Sequence, residues 1–238
     1  MRTFASVFGM LGRGAAVAVL TSMVMSGAAF AGPPVVVELF QSQGCSSCPP
    51  ANANVMAIAD RPDVLALSFQ VTYWDQLGWK DTFASQQNTQ RQYDYSKGLH
   101  NSGPGTPEVV INGRTDIVGI DRRELESALK RASPPENPPS LTLNGGTLNI
   151  GAGQAPKSGA DIWLVRYDPR TVQVAIKRGE NGGKTLPHRN VVRELVRLGS
   201  WSGAQETLYL PSAGDPAWRT AILVQATGGG PILAALKS

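Results

Sequence analysis

Two cysteines three positions apart, Cys45 and Cys48, are the only cysteines in this chain of 238 residues. A disulfide that closes so short a loop removes little entropy from the unfolded chain, so it would stabilise a fold only weakly. Prolines 49 and 50 follow directly, and proline is tolerated in a helix only near its first turn. The pattern therefore predicts a pair of thiols with a chemical role at the start of a helix.

The residues around the cysteines predict an α/β unit. Residues 35–40 are β-branched and aromatic, as is typical of a buried strand, and apolar residues at helical spacing follow Cys48 as far as Ala59. A second apolar run at 64–71 predicts another strand. Because the connection between the two strands passes through a helix, we expect a parallel pair with a right-handed crossover.

The next seventy residues predict two further helices and a hairpin. Residues 79–99 are polar and aromatic and are expected to be helical in part, with Asp81 or Thr82 as the N-cap. Asn-Gly at 112–113 lies between two apolar runs, which is a strong hairpin signal. Asp121 and Glu124 have the spacing of a capping box before an amphipathic helix. The order of elements up to residue 132 is then β-α-β-α-β-β-α.

A proline-rich stretch at 134–140 predicts a domain boundary, because its four prolines favour a stiff, extended spacer. We expect one α/β domain at 32–133 and a β-rich, sandwich-like domain at 141–238. The second domain is expected from short apolar runs bounded mostly by Gly, Pro, Asn or Asp, namely 141–143, 162–165, 172–176, 191–198, 207–210 and 221–225. It carries no cysteine, and binding or assembly is its expected use.

The first 31 residues predict a signal peptide. Arg2 and Arg13 precede or flank a short apolar stretch at 15–25, and Ala29-Phe30-Ala31 fits the small-residue pattern of a cleavage site. The apolar stretch is too short to span a bilayer comfortably. We therefore expect a periplasmic or secreted protein cleaved near Ala31, with an uncleaved anchor as the alternative.

The charge pattern argues against nucleic-acid binding. The two arginines before residue 32 account for half of the formal net charge of +4. Elsewhere basic residues are interleaved with acidic ones, as in residues 121–124, and no dense basic run with aromatic residues occurs.

The order of elements, the Cys-x-x-Cys at the first helix and Thr106-Pro107 before a hairpin together resemble the thioredoxin fold over about residues 34–132. Three segments look, more closely, like an uncharacterised family of bacterial secreted proteins, which is catalogued as a domain of unknown function with a thioredoxin-like fold. These segments are ELFQSQGCSSCPP at 38–50, YWDQLGWKD at 73–81 and TPEVVING at 106–113.

The resemblance to thioredoxins implies a role for each residue of the site. Cys45 would be the attacking thiol, because a helix start lowers a thiol pKa, and Cys48 would be the more buried resolving thiol. Pro107 would be the cis-proline beside them. The backbone of Thr106 would then be free to pair with an extended substrate strand.

Two departures from the thioredoxin pattern leave the direction of electron transfer open. The residues between the cysteines are Ser46 and Ser47, so the redox potential cannot be read from them. The resemblance also implies a buried acid six residues before the first cysteine, where Leu39 stands. Glu38 is one residue earlier. It is either a proton shuttle, if an extra residue in the turn restores the register, or a partly exposed strand acid.

Aromatic residues follow the second strand, at the edge where parallel sheets bind ligands. Tyr73, Trp74 and Trp79 could form an apolar platform for a substrate peptide or simply cover the core.

Taken together, the residues and the resemblance predict a thiol:disulfide oxidoreductase with no cofactor beyond its own Cys45–Cys48 disulfide. Its partners would be a protein or small thiol/disulfide substrate and an electron-transfer protein of the membrane, and the chain would be a monomer or weak oligomer. One alternative is a copper or other metal carrier that uses Cys45, Cys48 and His100 as ligands. Another alternative is a non-catalytic binding module of the envelope. The second histidine, His188, is expected to be structural.

Overall fold

The structure is a computed structural model that describes residues 1–3, 32–132 and 134–238. Ala31–Ser238 form one compact unit. The expected signal peptide lies outside the described residues apart from its first three positions. Within the part of the chain that is described, no helix has both the length and the apolar character needed to cross a bilayer.

The first half of the compact unit has the order of elements that the sequence predicts. These elements are β1 (Val35–Gln41), α1 (Cys48–Ile58), β2 (Val64–Gln70), α2 (Gln86–Gly98), β3 (Glu108–Ile111), β4 (Thr115–Ile117) and α3 (Arg122–Arg131), with a short 3-10 turn at Asp75–Leu77. β1 and β2 are parallel, as expected for two strands joined through a helix. β3 is antiparallel to β1, and β4 is antiparallel to β3.

The helix caps differ from expectation at one helix. α2 begins after Ser85, whose side chain accepts a hydrogen bond from the backbone N–H of Asn88, so the expectation of Asp81 or Thr82 as its N-cap is wrong. Asp81 is instead buried and binds the loop before α1, as described below. Asp121 does cap α3, through the backbone N–H of Arg123.

The second half of the unit is entirely β. Its strands are β5 (Leu141–Asn144), β6 (Thr147–Ile150), β7 (Ala160–Asp168), β8 (Val172–Ala175), β9 (Thr185–His188), β10 (Val191–Trp201), β11 (Glu206–Tyr209), β12 (Arg219–Ala226) and β13 (Ile232–Lys237). They contribute to three sheets, with the strand orders β13-β12-β7-β10-β2-β1-β3-β4, β11-β6-β5 and β8-β9.

The eight-stranded sheet contains strands from both sides of the expected boundary at 134–140. β10 continues the sheet beside β2, where the backbone N–H of Ser68 donates to the carbonyl of Asn190 at 2.9 Å and the Asn190 side chain donates to the carbonyl of Ala66 at 2.8 Å. The pairing itself is short, with Val191 beside Ser68. The described residues therefore form an α/β structure around one large sheet.

Both faces of the central strands are covered, so alternate residues of β1 enter different cores. On one face, Val37 and Leu39 pack with α1 and α3. On the other, Val36 and Phe40 join a core that extends past Tyr95 of α2 to the strands of the second half. A third core contains Leu148 and Ile150 of the three-stranded sheet together with residues of β7, β10, β12 and β13.

Candidate functional site

The two cysteines lie where β1 passes into α1, and they form a disulfide. Their Cα atoms are 5.5 Å apart. α1 begins at Cys48, and its first turn contains the two prolines, so the prolines mark the true start of the helix. Cys45 lies in the preceding turn, where its backbone N–H donates to the carbonyl of Ser42 at 3.1 Å. The sequence pattern thus placed the dithiol correctly at a helix start.

Both cysteines are buried, whereas the two serines between them are exposed. Cys45 has an exposed fraction of 0% and Cys48 of 1%, so burial does not distinguish the two cysteines in the disulfide form. The Sγ atom of Cys45 lies 3.3 Å from the hydroxyl of Ser47. Because a thiolate must touch the sulfur that it attacks, exchange at Cys45 requires the surrounding loops to open.

The loop before β3 contacts the dithiol. The Thr106-Pro107 peptide bond is cis. The carbonyl oxygen of Thr106 lies 3.7 Å from Cys45 Sγ and 3.5 Å from Ser47 Oγ. The structure therefore brings Cys45, Thr106 and Pro107 together at one place.

Glu38 does not lie with Cys45, Thr106 and Pro107, and neither role expected for Glu38 fits its position. Residues of β1 alternate between the two cores, with Val37 and Leu39 facing α1 and Val36 and Phe40 on the opposite face. Glu38 therefore shares a face with Phe40, towards α2 and away from α1, and its exposed fraction is 0%. It is neither a partly exposed acid nor a proton shuttle directed at Cys48.

The carboxylate of Glu38 is held by two residues of α2. It accepts hydrogen bonds from Arg91 Nε at 2.7 Å, from a terminal nitrogen of Arg91 at 3.1 Å and from the hydroxyl of Tyr95. The Arg91 guanidinium lies 5.1 Å from the ring centroid of Tyr95 and 5.6 Å from that of Phe69. Burial acts to lower the pKa of Arg91, but the charge of Glu38 keeps it above its usual value. The pair is a charged element of the core.

Residues 79–82 hold the loop that leads to Cys45. The backbone N–H of Gln43 donates to the Asp81 carboxylate at 2.7 Å, and Gln43 Oε1 accepts from the indole N–H of Trp79 at 2.9 Å. Burial raises the pKa of Asp81 to about 6, against the opposing effect of the backbone donors of Gln43 and Phe83. Trp79 therefore positions the dithiol loop through Gln43, and no platform for a substrate is needed to explain it.

The other two aromatic residues of this segment, Tyr73 and Trp74, pack against the large core. The Tyr73 hydroxyl donates to Gln92 at 3.1 Å, and burial raises its pKa to about 12. Both residues fit the expectation that they cover the core.

A hairpin from the second half of the chain also contacts the dithiol loop. We define this hairpin arm as residues 172–188, which contain β8, β9 and their connection. The Asn181 side chain, which is fully buried, donates to the carbonyls of Gln43 at 3.0 Å and Cys45 at 2.8 Å. A carboxylate oxygen of Glu180 accepts from the backbone N–H of Ser46 at 3.0 Å.

The hairpin arm approaches Trp79 so closely that position 179 favours a glycine. A Cβ on Gly179 would lie 3.3 Å from the Cβ of Trp79, and the φ angle of Gly179 is +75°. The glycine-rich sequence 179–184 predicts a hairpin tip, but nothing in it indicates that the tip reaches residues more than a hundred positions earlier.

The side chains below α1 are polar but uncharged. Gln41 donates to Asn52 at 2.9 Å and to Ser68 at 2.6 Å, and Asn52 donates to the carbonyl of Pro187 at 2.7 Å. Asn52 follows Cys48 by four residues, so both lie on the same face of the helix. An amide network of α1, β1 and β2 thus lies on the face of α1 that carries Cys48, where one of the two interpretations of Glu38 had placed an acid.

Comparison with known proteins identifies the family of this chain. The family described as "Protein of unknown function (DUF1223)" matches residues 36–225. The chain belongs to this family. The match covers the dithiol, Thr106-Pro107 and the hairpin arm, so all the segments that meet at the site lie within the DUF1223 region. No curated protein matches the sequence.

Two solved structures resemble this member of the DUF1223 family. A crystal structure of an Agrobacterium tumefaciens protein is 32% identical, covers 87% of this chain and 94% of its own, and has a TM-score of 0.72. HBP35 of Porphyromonas gingivalis is 13% identical, covers 87% of this chain and 75% of its own, and has a TM-score of 0.56. The second likeness concerns the fold alone.

The two histidines of this DUF1223 protein lie apart from any group of metal ligands. His100 is an exposed residue after α2. Within residues 1–3, 32–132 and 134–238, no three His, Cys, Asp or Glu side chains are grouped so that they could hold a metal ion. His188 is buried against the ring of Phe83, and burial lowers its pKa to about 4.

Proposed function

We propose that this DUF1223 protein is a thiol:disulfide oxidoreductase that acts through Cys45 and Cys48. The observation that carries the proposal is the position of the dithiol at the start of α1, in contact with the Thr106-Pro107 loop. A helix start favours the thiolate over the thiol, because the positive end of the helix dipole lies there. The same pair would be a weak structural crosslink, since it closes a loop of only a few residues.

The finer description of the fold is part of the proposal. Residues 32–133 are a thioredoxin-like unit, with the strand order β2-β1-β3-β4, with α1 and α3 on one face and with α2 on the other. The three-stranded sheet packs on β7, β10, β12 and β13 in a sandwich-like arrangement. Strands from both parts of the chain belong to the eight-stranded sheet, in which β10 pairs with β2.

The reaction begins from the reduced dithiol. The Cys45 thiolate attacks one sulfur of a substrate disulfide, the substrate S–S bond breaks, and the leaving sulfur takes up a proton. Cys48 then loses its proton and attacks the Cys45 sulfur, which forms the Cys45–Cys48 bond and releases the second substrate thiol. Two electrons and two protons pass to the substrate, and the reverse sequence oxidises a substrate dithiol.

The setting of this reaction follows from the N-terminal sequence. Cleavage near Ala31 would deliver the chain to the periplasm or outside the cell, where disulfides form and persist. The substrate is a protein or small molecule with a thiol or disulfide, and no cofactor is needed beyond the dithiol itself. A protein that acts as a reductant there would draw electrons from a membrane partner.

Reduction of insulin disulfides, with glutathione or dithiothreitol as electron source, tests the function. We expect turnover by the wild type, none by Cys45→Ser, and a trapped mixed disulfide on Cys45 in Cys48→Ser. Glu206→Gln on β11 serves as a control and should turn over normally. If the wild type exchanges no disulfide at any glutathione ratio, the function is not that of an oxidoreductase.

A further inference from the structure

Glu180, at the tip of the hairpin arm, reaches into the dithiol loop. Its carboxylate accepts the backbone N–H of Ser46, the residue that directly follows Cys45, at 3.0 Å. Ser46 lies two positions before Cys48, the first residue of α1, and the positive end of the helix dipole favours negative charge there. The carboxylate therefore occupies part of the same positive region that would stabilise a thiolate on Cys45.

The electrostatic consequence concerns only the reduced protein. The disulfide is uncharged, whereas a thiolate that forms on Cys45 after reduction would lie one residue from the N–H that the Glu180 carboxylate binds. The hydrogen bonds from Ser46 lower the pKa of Glu180, so this carboxylate is ionised wherever the dithiol operates. Repulsion between the two anions disfavours the reduced form.

We propose that Glu180 sets the redox potential of the Cys45–Cys48 pair towards more reducing values, through its negative charge at the N–H of Ser46. The inference rests on the proposed exchange function and adds a direction to it. Glu180 is a positioning residue in this role, because it acts on the sulfur through the electrostatics of the loop and does not contact the reacting atoms.

Two other charged groups act on the same loop and have to be considered with Glu180. Lys184, also on the hairpin arm, donates to the side-chain oxygen of Asn181 at 3.0 Å, and its positive charge favours a thiolate. Asp81 binds the N–H of Gln43 from the buried side. Glu180 differs from both because it binds the N–H between the two cysteines.

The test measures the equilibrium of the dithiol with glutathione buffers, and with dithiothreitol buffers if glutathione does not reduce it. Glu180→Gln removes the charge and keeps an oxygen that can accept the Ser46 N–H, and Glu180→Lys reverses the charge. We expect Gln to shift the equilibrium about two- to fivefold towards the dithiol, which is the range for a charge at an exposed helix terminus, and Lys to shift it further. Both shifts should shrink in 1 M salt, and Glu206→Gln should have no effect.

Several outcomes would overturn the inference. Equal potentials for the wild type and Glu180→Gln would do so, as would a shift in Glu180→Ala that Gln does not share, because the hydrogen bond and not the charge would then be responsible. The glutathione equilibrium needs no protein substrate. A wild type that fails to turn over insulin would therefore disprove the proposed function, while the potentials of the Glu180 variants would still decide the role of the charge.

Discussion

At the scale of single residues, Asp81 is the acid whose environment differs most from water near the site. Its exposed fraction is 3%, and burial raises its pKa from 3.8 to about 6. A carboxyl group with a higher pKa in the folded than in the unfolded state stabilises the fold below the lower value. That stabilisation is lost as the pH rises from about 4 through 6, since the buried group must then carry a charge.

Replacing Asp81 with Asn should remove this pH dependence. We expect the free energy of unfolding of the wild type to fall by about 2 to 3 kcal/mol between pH 4 and pH 7 relative to that of Asp81→Asn, because a shift of about two pKa units corresponds to this amount. Urea denaturation across that range measures the difference. Asp116→Asn, at an exposed residue of β4, is the control. An identical pH dependence of the wild type and Asp81→Asn would contradict the prediction.

Glu38 shows what sequence reasoning at this scale lacks. The alternation along β1 indicates correctly that Glu38 and Leu39 face opposite sides, but it does not show that Glu38 is fully buried. Its partner Arg91 lies 53 positions further along, on a helix whose start was itself misplaced. A buried carboxylate needs a partner, and which residue supplies it depends on packing that no local pattern records.

At the scale of elements, the local signals were largely sufficient. Helical spacing, the Asn-Gly turn and the apolar runs predict the order of the first seven strands and helices as the structure has it. In the second half, the six apolar runs correspond to β5, β7, β8, β10, β11 and β12. The sequence did not reveal β6, β9 or β13. β9 contains Pro187, and proline argues against a strand except at an edge.

The hairpin arm is the element whose role the sequence did not reveal. Asn181 of this arm donates to two carbonyls of the dithiol loop, and one of them belongs to Cys45. Loss of a buried hydrogen bond costs about 1 to 3 kcal/mol when it leaves a polar group unpaired. If the arm limits access to Cys45, loss of these contacts should make the disulfide easier to reach.

Replacing Asn181 with Ala should therefore speed reduction of the Cys45–Cys48 disulfide. We expect the rate with dithiothreitol to rise about tenfold, which corresponds to about 1.4 kcal/mol of easier opening. Asn144→Ala, at an exposed position of β5, provides a matched control and should react like the wild type. Reduction of Asn181→Ala at the wild-type rate would show that the arm does not restrict access.

At the scale of the whole molecule, the large sheet contains strands from both sides of the proline-rich stretch. Four prolines do favour a spacer, but a spacer need not separate two cores. After it the chain returns to β2, and its strands complete a sheet of eight. Such pairing brings together residues more than a hundred positions apart. Short-range periodicity contains no information about it, so the α/β class was predictable and the shared sheet was not.

The shared sheet predicts that both halves unfold together. Asn190 closes the junction, because its carbonyl and side chain bind the backbone of β2, and it has an exposed fraction of 7%. We expect Asn190→Ala to lower the free energy of unfolding by about 1 to 3 kcal/mol, since the carbonyl of Ala66 loses its side-chain donor. Denaturation is followed by tryptophan fluorescence and by the rate at which a reductant reduces the Cys45–Cys48 disulfide.

Both probes should give one midpoint in the wild type, and both should shift equally in Asn190→Ala. The reason is that β2 leads from α1 towards the segment that holds the dithiol loop, while three of the five tryptophans that give the fluorescence, Trp163, Trp201 and Trp218, lie beyond the linker. Asn144→Ala should leave both midpoints in place. Two separate midpoints would instead indicate that the 134–140 segment divides the chain into independent folding units, and the dithiol could then function without the strands of the second half.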